Sequence, residues 1–368
     1  MEQFDIFDML PEEEAKKYKP IKSTDWKWTM ANDYPKEKNG LKVFSCFACG
    51  GGSTMGYKLA GCDVIGCCEI DKKMNDVYVK NHNPKHNYLM DIRKFNEIPN
   101  DELPEELFNL DILDGSPPCT TFSMAGDREE SWGKKKKFRE GQAEQTLDDL
   151  SFVFIDTVAK LNPKVVIMEN VEGILLGEAI TYVQRIYKQF KDIGYSVRHY
   201  LLKGEYMGVP QKRHRVFFVA VRYDVVFDFQ RLDMSFNYAP IKYRTIKDGN
   251  KKITTKMQEL FEYVEKGEKD FVKAWNRKYN PDHTEKRMLF NEIITYEDNV
   301  MQTIRATGIM YDYENRCGIS DKSVSNASTF PKDFDFCEER ITYVCGMSVP
   351  PIMIKRIVTR LIESGIFD

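Results

Sequence analysis

Between residues 41 and 222, short apolar runs alternate with segments of helical period, and this rhythm admits few architectures. The runs at 41–43, 64–68, 110–113, 165–171 and 216–221 are apolar at most positions. Strands that read this way are buried on both faces. Segments 55–60, 73–81, 150–161 and 179–193 read as helices, and Phe152, Ile155, Val158 and Leu161 form a clean stripe. Strand–helix alternation predicts an α/β fold, a doubly wound and mostly parallel sheet with helices on both faces. Such sheets bind ligands beyond the carboxyl ends of their strands.

The residues at those ends carry chemistry. After the first run the chain reads FSCFACGGG, and Gly50, Gly51 and Gly52 let the backbone turn tightly against a ligand. Glu69 ends the second run, nineteen residues after Gly50, the spacing of an acid that grips ribose hydroxyls. Asp91 follows as a candidate for an adenine edge. The turn is not G-x-G-x-x-G, which argues against a dinucleotide and a nicotinamide dehydrogenase. The third run leads into DGSPPC, where two prolines set φ and remove two donors ahead of Cys119. A thiol is thereby held rigidly at the sheet edge. The fourth run ends in Glu169. Gln211, Arg213 and Arg215 alternate into the last run, which points them to one face of an extended segment. Gly346–Pro351 opens a closing helix with Ile354, Ile357, Val358 and Leu361 inside.

In this order the segments resemble the C5-cytosine DNA methyltransferases of bacteria and phages. The matching residues are the turn at Phe47–Gly52, Glu69, Asp91, Pro118-Cys119, Glu169-Asn170-Val171, Gln211-x-Arg213-x-Arg215 and Gly346-x-Ser348-Val349-Pro350. They span nearly the whole chain. The resemblance implies a Rossmann-like methyltransferase fold and S-adenosylmethionine as methyl donor, with S-adenosylhomocysteine as product. Cys119 would attack C6 of a flipped-out cytosine, making C5 nucleophilic. Glu169 would serve ring N3 and the exocyclic amine, Arg215 the ring O2, and Arg213 would support Glu169 or a phosphate. Phe47, Ala48, Gly50, Gly51 and Gly52 would cradle the methionine part, Glu69 the ribose, Ile70 the adenine face, and Asp91 with Ile92 the adenine amine. Pro118, Leu150, Ser348 and Val349 would line the rest. Thr120, Ser123, Gln211 and Thr303 would contact DNA. Four residues depart from the family pattern: Ser45 where aspartate is common, Cys49 for the first glycine, Thr120 for glutamine and Met347 for asparagine. An RNA cytosine-5 methyltransferase and a catalytically silent DNA-binding paralogue are the rival readings. The intact Cys119, Glu169 and arginine set opposes the silent one.

Four segments are expected: an N-terminal extension at 1–40, a catalytic and cofactor-binding domain at 41–224, a target-recognition domain at 225–335 whose end (300–335) links back, and a C-terminal segment at 336–368. The α/β rhythm breaks at 225–300, where a helical stripe is interrupted near Gly267. It breaks also at 122–146, a glycine-containing loop with Lys134–Lys137, which resembles the loop that closes over DNA. The formal charge of −3 carries no global nucleic-acid signal, so any basic footprint is local. Nine cysteines form no framework. Cys46, Cys49, Cys67 and Cys68 could be imagined as a zinc set, yet no histidine lies nearby in sequence, and reduced thiols in a cytosol are the better reading. Expectations are therefore no metal, double-stranded DNA as partner, no membrane, a monomer, and a cytoplasmic location within a restriction–modification system, a phage or an orphan regulator.

Overall fold

The computed structural model describes residues 18–19, 26–118, 150–281 and 292–368. They form two compact units. The first holds 33–203, 214–235 and 354–368; the second holds 204–213, 236–353 and the described part of 1–32.

In the first unit the elements are β1 (Lys42–Cys46), α1 (Gly52–Leu59), β2 (Asp63–Glu69), α2 (Lys72–His82), β3 (His86–Leu89), α3 (Ile92–Glu97), β4 (Ile112–Gly115), α4 (Leu150–Leu161), β5 (Val165–Val171), α5 (Ile180–Asp192), β6 (Tyr195–Lys203) and β7 (His214–Arg222). Seven strands pair in the order β3-β2-β1-β4-β5-β7-β6. Pairings from β3 through β5 are parallel. Strand β7 runs antiparallel to both β5 and β6. The order reverses at β1, because β2 lies on one side of it and β4 on the other. That switch point leaves a crevice at the carboxyl ends of β1 and β4.

Side chains alternate across the sheet as the pleat requires. Phe44, Cys46, Leu113, Val166 and Met168 join the α3, α4 and α5 core, where the stripe Phe152–Leu161 packs. Ser45 and Asp114 lie on the opposite face, where Tyr57 of α1 meets them. Asp71 caps α2, accepting from the Lys73 amide at 2.9 Å.

In the second unit, β8 (Asn250–Lys251), β9 (Glu292–Thr295), β10 (Ile309–Asp312) and β11 (Cys317–Ile319) form a sheet in the order β8-β11-β10-β9. Helices α6 (Thr255–Phe261), α7 (Val272–Tyr279), α8 (Asp321–Ala327) and α9 (Ile341–Met347) accompany it. Gly267, at φ 101, separates α6 from α7 as the interrupted stripe suggests. Phe261, Phe271 and Tyr311 make an edge-to-face core with ring centroids 4.9 and 5.0 Å apart. The sheet was not foreseen, since strands of two to four residues are too short to display a period of two. Trp26 and Trp28 are buried, and the Trp28 indole donates to the Thr329 carbonyl at 2.8 Å.

The unit boundaries fall elsewhere than the sequence segments. Residues 204–213 sit inside the expected catalytic segment and 336–353 inside the expected C-terminal one, yet both group with 236–335. Residues 341–363 are long and apolar enough to cross a bilayer by composition. They fold instead as α9 and α10 (Pro351–Glu363), broken at Ser348–Pro350, with Ile354, Ile357, Val358 and Leu361 buried.

Gly115 ends β4 beneath α4. A Cβ there would lie 2.3 Å from the Phe154 ring. Gly115→Ala is expected to destabilise by about 1–3 kcal/mol through overpacking. Phe154→Leu should recover part of that loss in urea unfolding of the double variant.

Candidate active site

The turn after β1 is strained. Phe47 (φ 54), Cys49 (φ 47) and Gly51 (φ 88) all have left-handed backbone. Such conformations cost about 1–3 kcal/mol at a non-glycine residue, so the surroundings must hold them. Glu69 does so from the end of β2. Its buried carboxylate accepts the Cys49 amide at 2.7 Å through Oε2 and the Asp71 amide at 2.8 Å through Oε1. Burial raises its pKa while those two backbone donors oppose the rise. The last residue of α2, His82, supports the turn from below. A Cβ on Gly51 would lie 2.0 Å from His82 Nε2, so only glycine fits. Burial lowers the His82 pKa to about 3, which keeps the ring neutral. Tyr78 packs edge-on against it at 4.8 Å and shares a 2.8 Å hydrogen bond with Thr54 of α1.

Beside the turn, Phe47, Cys68, Ile70, Met90, Asp91, Ile92 and Leu150 line a small open cleft. Five of these were singled out in the sequence. Met90 carries no such signal and Cys68 only that of the imagined zinc set, although each directly precedes a flagged acid. Asp91 caps α3 through the Arg93 amide at 2.9 Å and pairs with the Arg93 guanidinium at 3.4 Å. An apolar slot with one carboxylate on its rim fits a flat heteroaromatic ring with a polar edge. The Glu69 oxygens engage backbone donors and keep acceptor capacity for a hydroxyl. The residues present therefore fit the nucleoside part of a cofactor. Ala48 is buried in a cluster with Cys67 and Tyr78. Pro118 is half-buried just past β4. Ser348 and Val349 are buried in the second unit, directly after α9. Cys119, Thr120, Ser123 and the loop 122–146 with Lys134–Lys137 lie outside the described residues.

Two strands along, Glu169 Oε1 and Arg215 Nε form a 2.7 Å ion pair, both side chains largely buried. Antiparallel register sets Arg215 opposite Val171 and Glu169 opposite Phe217, which brings the two charges together at the end of β5. Arg215 Nη1 also donates to the His214 carbonyl at 2.7 Å. The other two residues of the arginine motif behave otherwise than expected. Arg213 is 2% exposed and donates to the carbonyls of Ile304 (3.5 Å) and Gly346 (3.1 Å). The support for Glu169 expected of it comes from Arg215. Gln211 is fully buried rather than a DNA contact. Its amide donates to the Ala327 carbonyl at 3.0 Å, and its oxygen accepts the Ile304 amide at 3.1 Å. Alternation failed because β7 begins only at His214, so 211 and 213 lie in irregular chain that the second unit absorbs. Thr303 donates its hydroxyl to the Lys212 carbonyl.

Asp114 was read only as part of the proline turn. It is 2% exposed and accepts Ser45 Oγ at 2.7 Å and the Tyr57 hydroxyl at 3.0 Å. Burial raises its pKa to about 7, opposed by those two hydrogen bonds and assisted by the Glu169 charge. The cysteines of the imagined zinc set are thiols in use: Cys67 donates to Asn87 Oδ1 at 3.2 Å and Cys68 to the Met90 carbonyl at 3.7 Å. Burial pushes Cys67 up to about 12.

A switch-point crevice with a pinned glycine turn and an acid-rimmed apolar cleft defines a Rossmann-like α/β protein with a ligand crevice. This chain belongs to the C-5 cytosine-specific DNA methylase family, whose profile matches residues 41–363. It is similar to the type II methyltransferase M.NgoPII of Neisseria gonorrhoeae, 31% identical over 226 residues, which are 60% of this chain and 57% of that protein. With M.FnuDI of Fusobacterium nucleatum the identity is 34% over 185 residues, 50% of this chain and 48% of the relative. The chain thus spans about half the length of these curated relatives. A solved structure described as a DNA modification methyltransferase encoded within an Escherichia coli prophage shares the fold. Its TM-score is 0.64 at 17% identity, covering 88% of this chain and 99% of that one.

Two outcomes are expected. Cys49→Gly should relieve left-handed strain and raise stability by about 1 kcal/mol in urea unfolding. For Asp114 the folded pKa lies above the unfolded one, so its contribution is full below about pH 4 and is lost as pH rises through about 7. Asp114→Asn should remove this loss, so the stability difference between wild type and variant should change across that window and level off above it.

Proposed function

We propose that this chain is a DNA (cytosine-5-)-methyltransferase that uses S-adenosylmethionine and acts through a covalent adduct at Cys119. One observation carries the reading. The carboxyl ends of adjacent strands β1, β4 and β5 bear the pinned glycine turn, the Pro117-Pro118 turn leading to Cys119, and the Glu169–Arg215 pair. S-adenosylmethionine, when bound, supplies an electrophilic methyl group. Phe47, Ile70, Met90, Ile92 and Leu150 would enclose its adenine, with Asp91 toward the amine. Glu69 would accept the ribose hydroxyls.

The remaining chemistry belongs to the chain. The Cys119 thiolate adds to C6 of cytosine, and charge moves toward N3 and C5. Glu169 meets N3 and the exocyclic amine, and Arg215 donates toward O2 while holding Glu169 in place. After C5 is methylated, loss of its proton and expulsion of the Cys119 thiolate restore the aromatic ring. A duplex base cannot reach these groups while stacked, so the target is flipped out. Thr120, Ser123 and the basic residues 134–137 supply phosphate contacts, and the unit around α6 and α7 reads the sequence. The enzyme works as a monomer on double-stranded DNA in the cytosol of a bacterium, with or without a phage origin.

Cys119→Ser is expected to abolish methyl transfer while leaving cofactor affinity unchanged in calorimetry. A 5-fluorocytosine duplex should trap wild type covalently, because fluorine cannot leave C5. Trapping on RNA and not on DNA would instead favour the RNA-modifying reading, and turnover by Cys119→Ser would overturn the nucleophile.

A further inference from the structure

Asp114 takes no part in the steps above, yet it sits where three elements meet. Ser45 is its register partner on β1, and Tyr57 reaches it from α1. Ser45 lies two residues before Phe47, where the strained turn begins. Asp114 lies three residues before Pro117, where the proline turn begins. Tyr57 belongs to the helix that the glycine turn opens. The ionisable groups that act on the carboxylate are Tyr57 of α1, Tyr78 of α2 and Glu169 of β5 on its own side and Cys46 of β1 across the sheet, all acids. Its hydrogen-bond donors are two neutral hydroxyls, those of Ser45 and Tyr57.

A carboxylate placed there is costly. It is removed from water, faces only acids and has two neutral donors. An apolar side chain of similar size would pack without that cost. What apolar contact cannot supply is direction, because van der Waals packing tolerates sliding by fractions of an ångström while two short hydrogen bonds do not. We propose that Asp114 is a positioning residue: by clamping Ser45 and Tyr57, its carboxylate sets the offset between the cofactor turn after β1 and the nucleophile turn after β4. The idea deepens the proposed methyl transfer and rests on it. The carboxylate's hydrogen bonds end on Ser45 and Tyr57, so the effect passes through backbone placement.

The geometry makes a reciprocal exchange informative. Ser45 and Asp114 are cross-strand partners in contact at 2.7 Å, so exchanging them returns one hydroxyl and one carboxylate to one locus. Asp114→Ser removes the carboxylate, and Ser45→Asp crowds two acids together. Each is expected to raise the KM for S-adenosylmethionine and lower kcat by about ten- to hundred-fold, the scale of a small misplacement. The double exchange should return both constants to within about three-fold of wild type. Asp114→Asn keeps the shape but replaces one acceptor with a donor. Wild-type kcat/KM should rise through about pH 7 as the carboxylate ionises and takes both donors, and this step should vanish in Asp114→Asn. A double exchange no better than the worse single variant overturns the proposal, as does an Asp114→Asn enzyme with the wild-type pH profile. Urea unfolding of the same four proteins measures the coupling between positions 45 and 114 without using the reaction. A wild type that binds cofactor but transfers no methyl group, with strong coupling intact, overturns the methyltransferase reading and leaves the clamp standing.

Discussion

The Glu69 carboxylate is the contact on which the site depends. It is buried at the end of β2 and takes one backbone donor from the turn after β1 and one from the start of α2. Without it, the left-handed turn at Phe47 and Cys49 would lose a short backbone hydrogen bond that offsets its strain. The same carboxylate keeps lone pairs for a ligand, so the group that shapes the site is also the group that would recognise a ribose. His82 completes the arrangement by occupying the space that any side chain on Gly51 would need.

Sheet topology decides what this turn is placed beside. Because the strand order reverses at β1, β4 is its neighbour, and the proline turn leaves from the adjacent strand end. Strand β7, inserted antiparallel between β5 and β6, then delivers Arg215 to Glu169 from the opposite chain direction. A strictly parallel sheet would have put the start of β7, with its arginine, at the far edge. The reversal is what lets a residue that begins one strand meet residues that end another.

The second unit shows how a motif can divide its labour. Gln211 and Arg213 read like surface recognition residues, yet both are buried and bond to backbone groups: Ala327 and Ile304 for the glutamine, Ile304 and Gly346 for the arginine. Buried side chains with several donors and acceptors hold irregular chain together, because each orphaned carbonyl there would cost about 1–3 kcal/mol. Only Arg215, the member inside β7, faces the candidate chemistry.

Much of this was readable from residues alone. Apolar runs and helical stripes determined the α/β class, because burial on both faces of a strand leaves no polar position. The glycines, Glu69, Asp91 and Glu169 were legible as distinctive residue types at or just past the ends of apolar runs, and Leu150 as the start of a helical stripe. The short strands β8–β11 were invisible, since two to four residues cannot express a period. The roles of Gln211 and Arg213, the support from His82 and the Ser45–Asp114–Tyr57 clamp were decided only by the tertiary structure. Each depends on which distant residue arrives opposite, and in a sheet that partner is set by strand order and register, which no local pattern records.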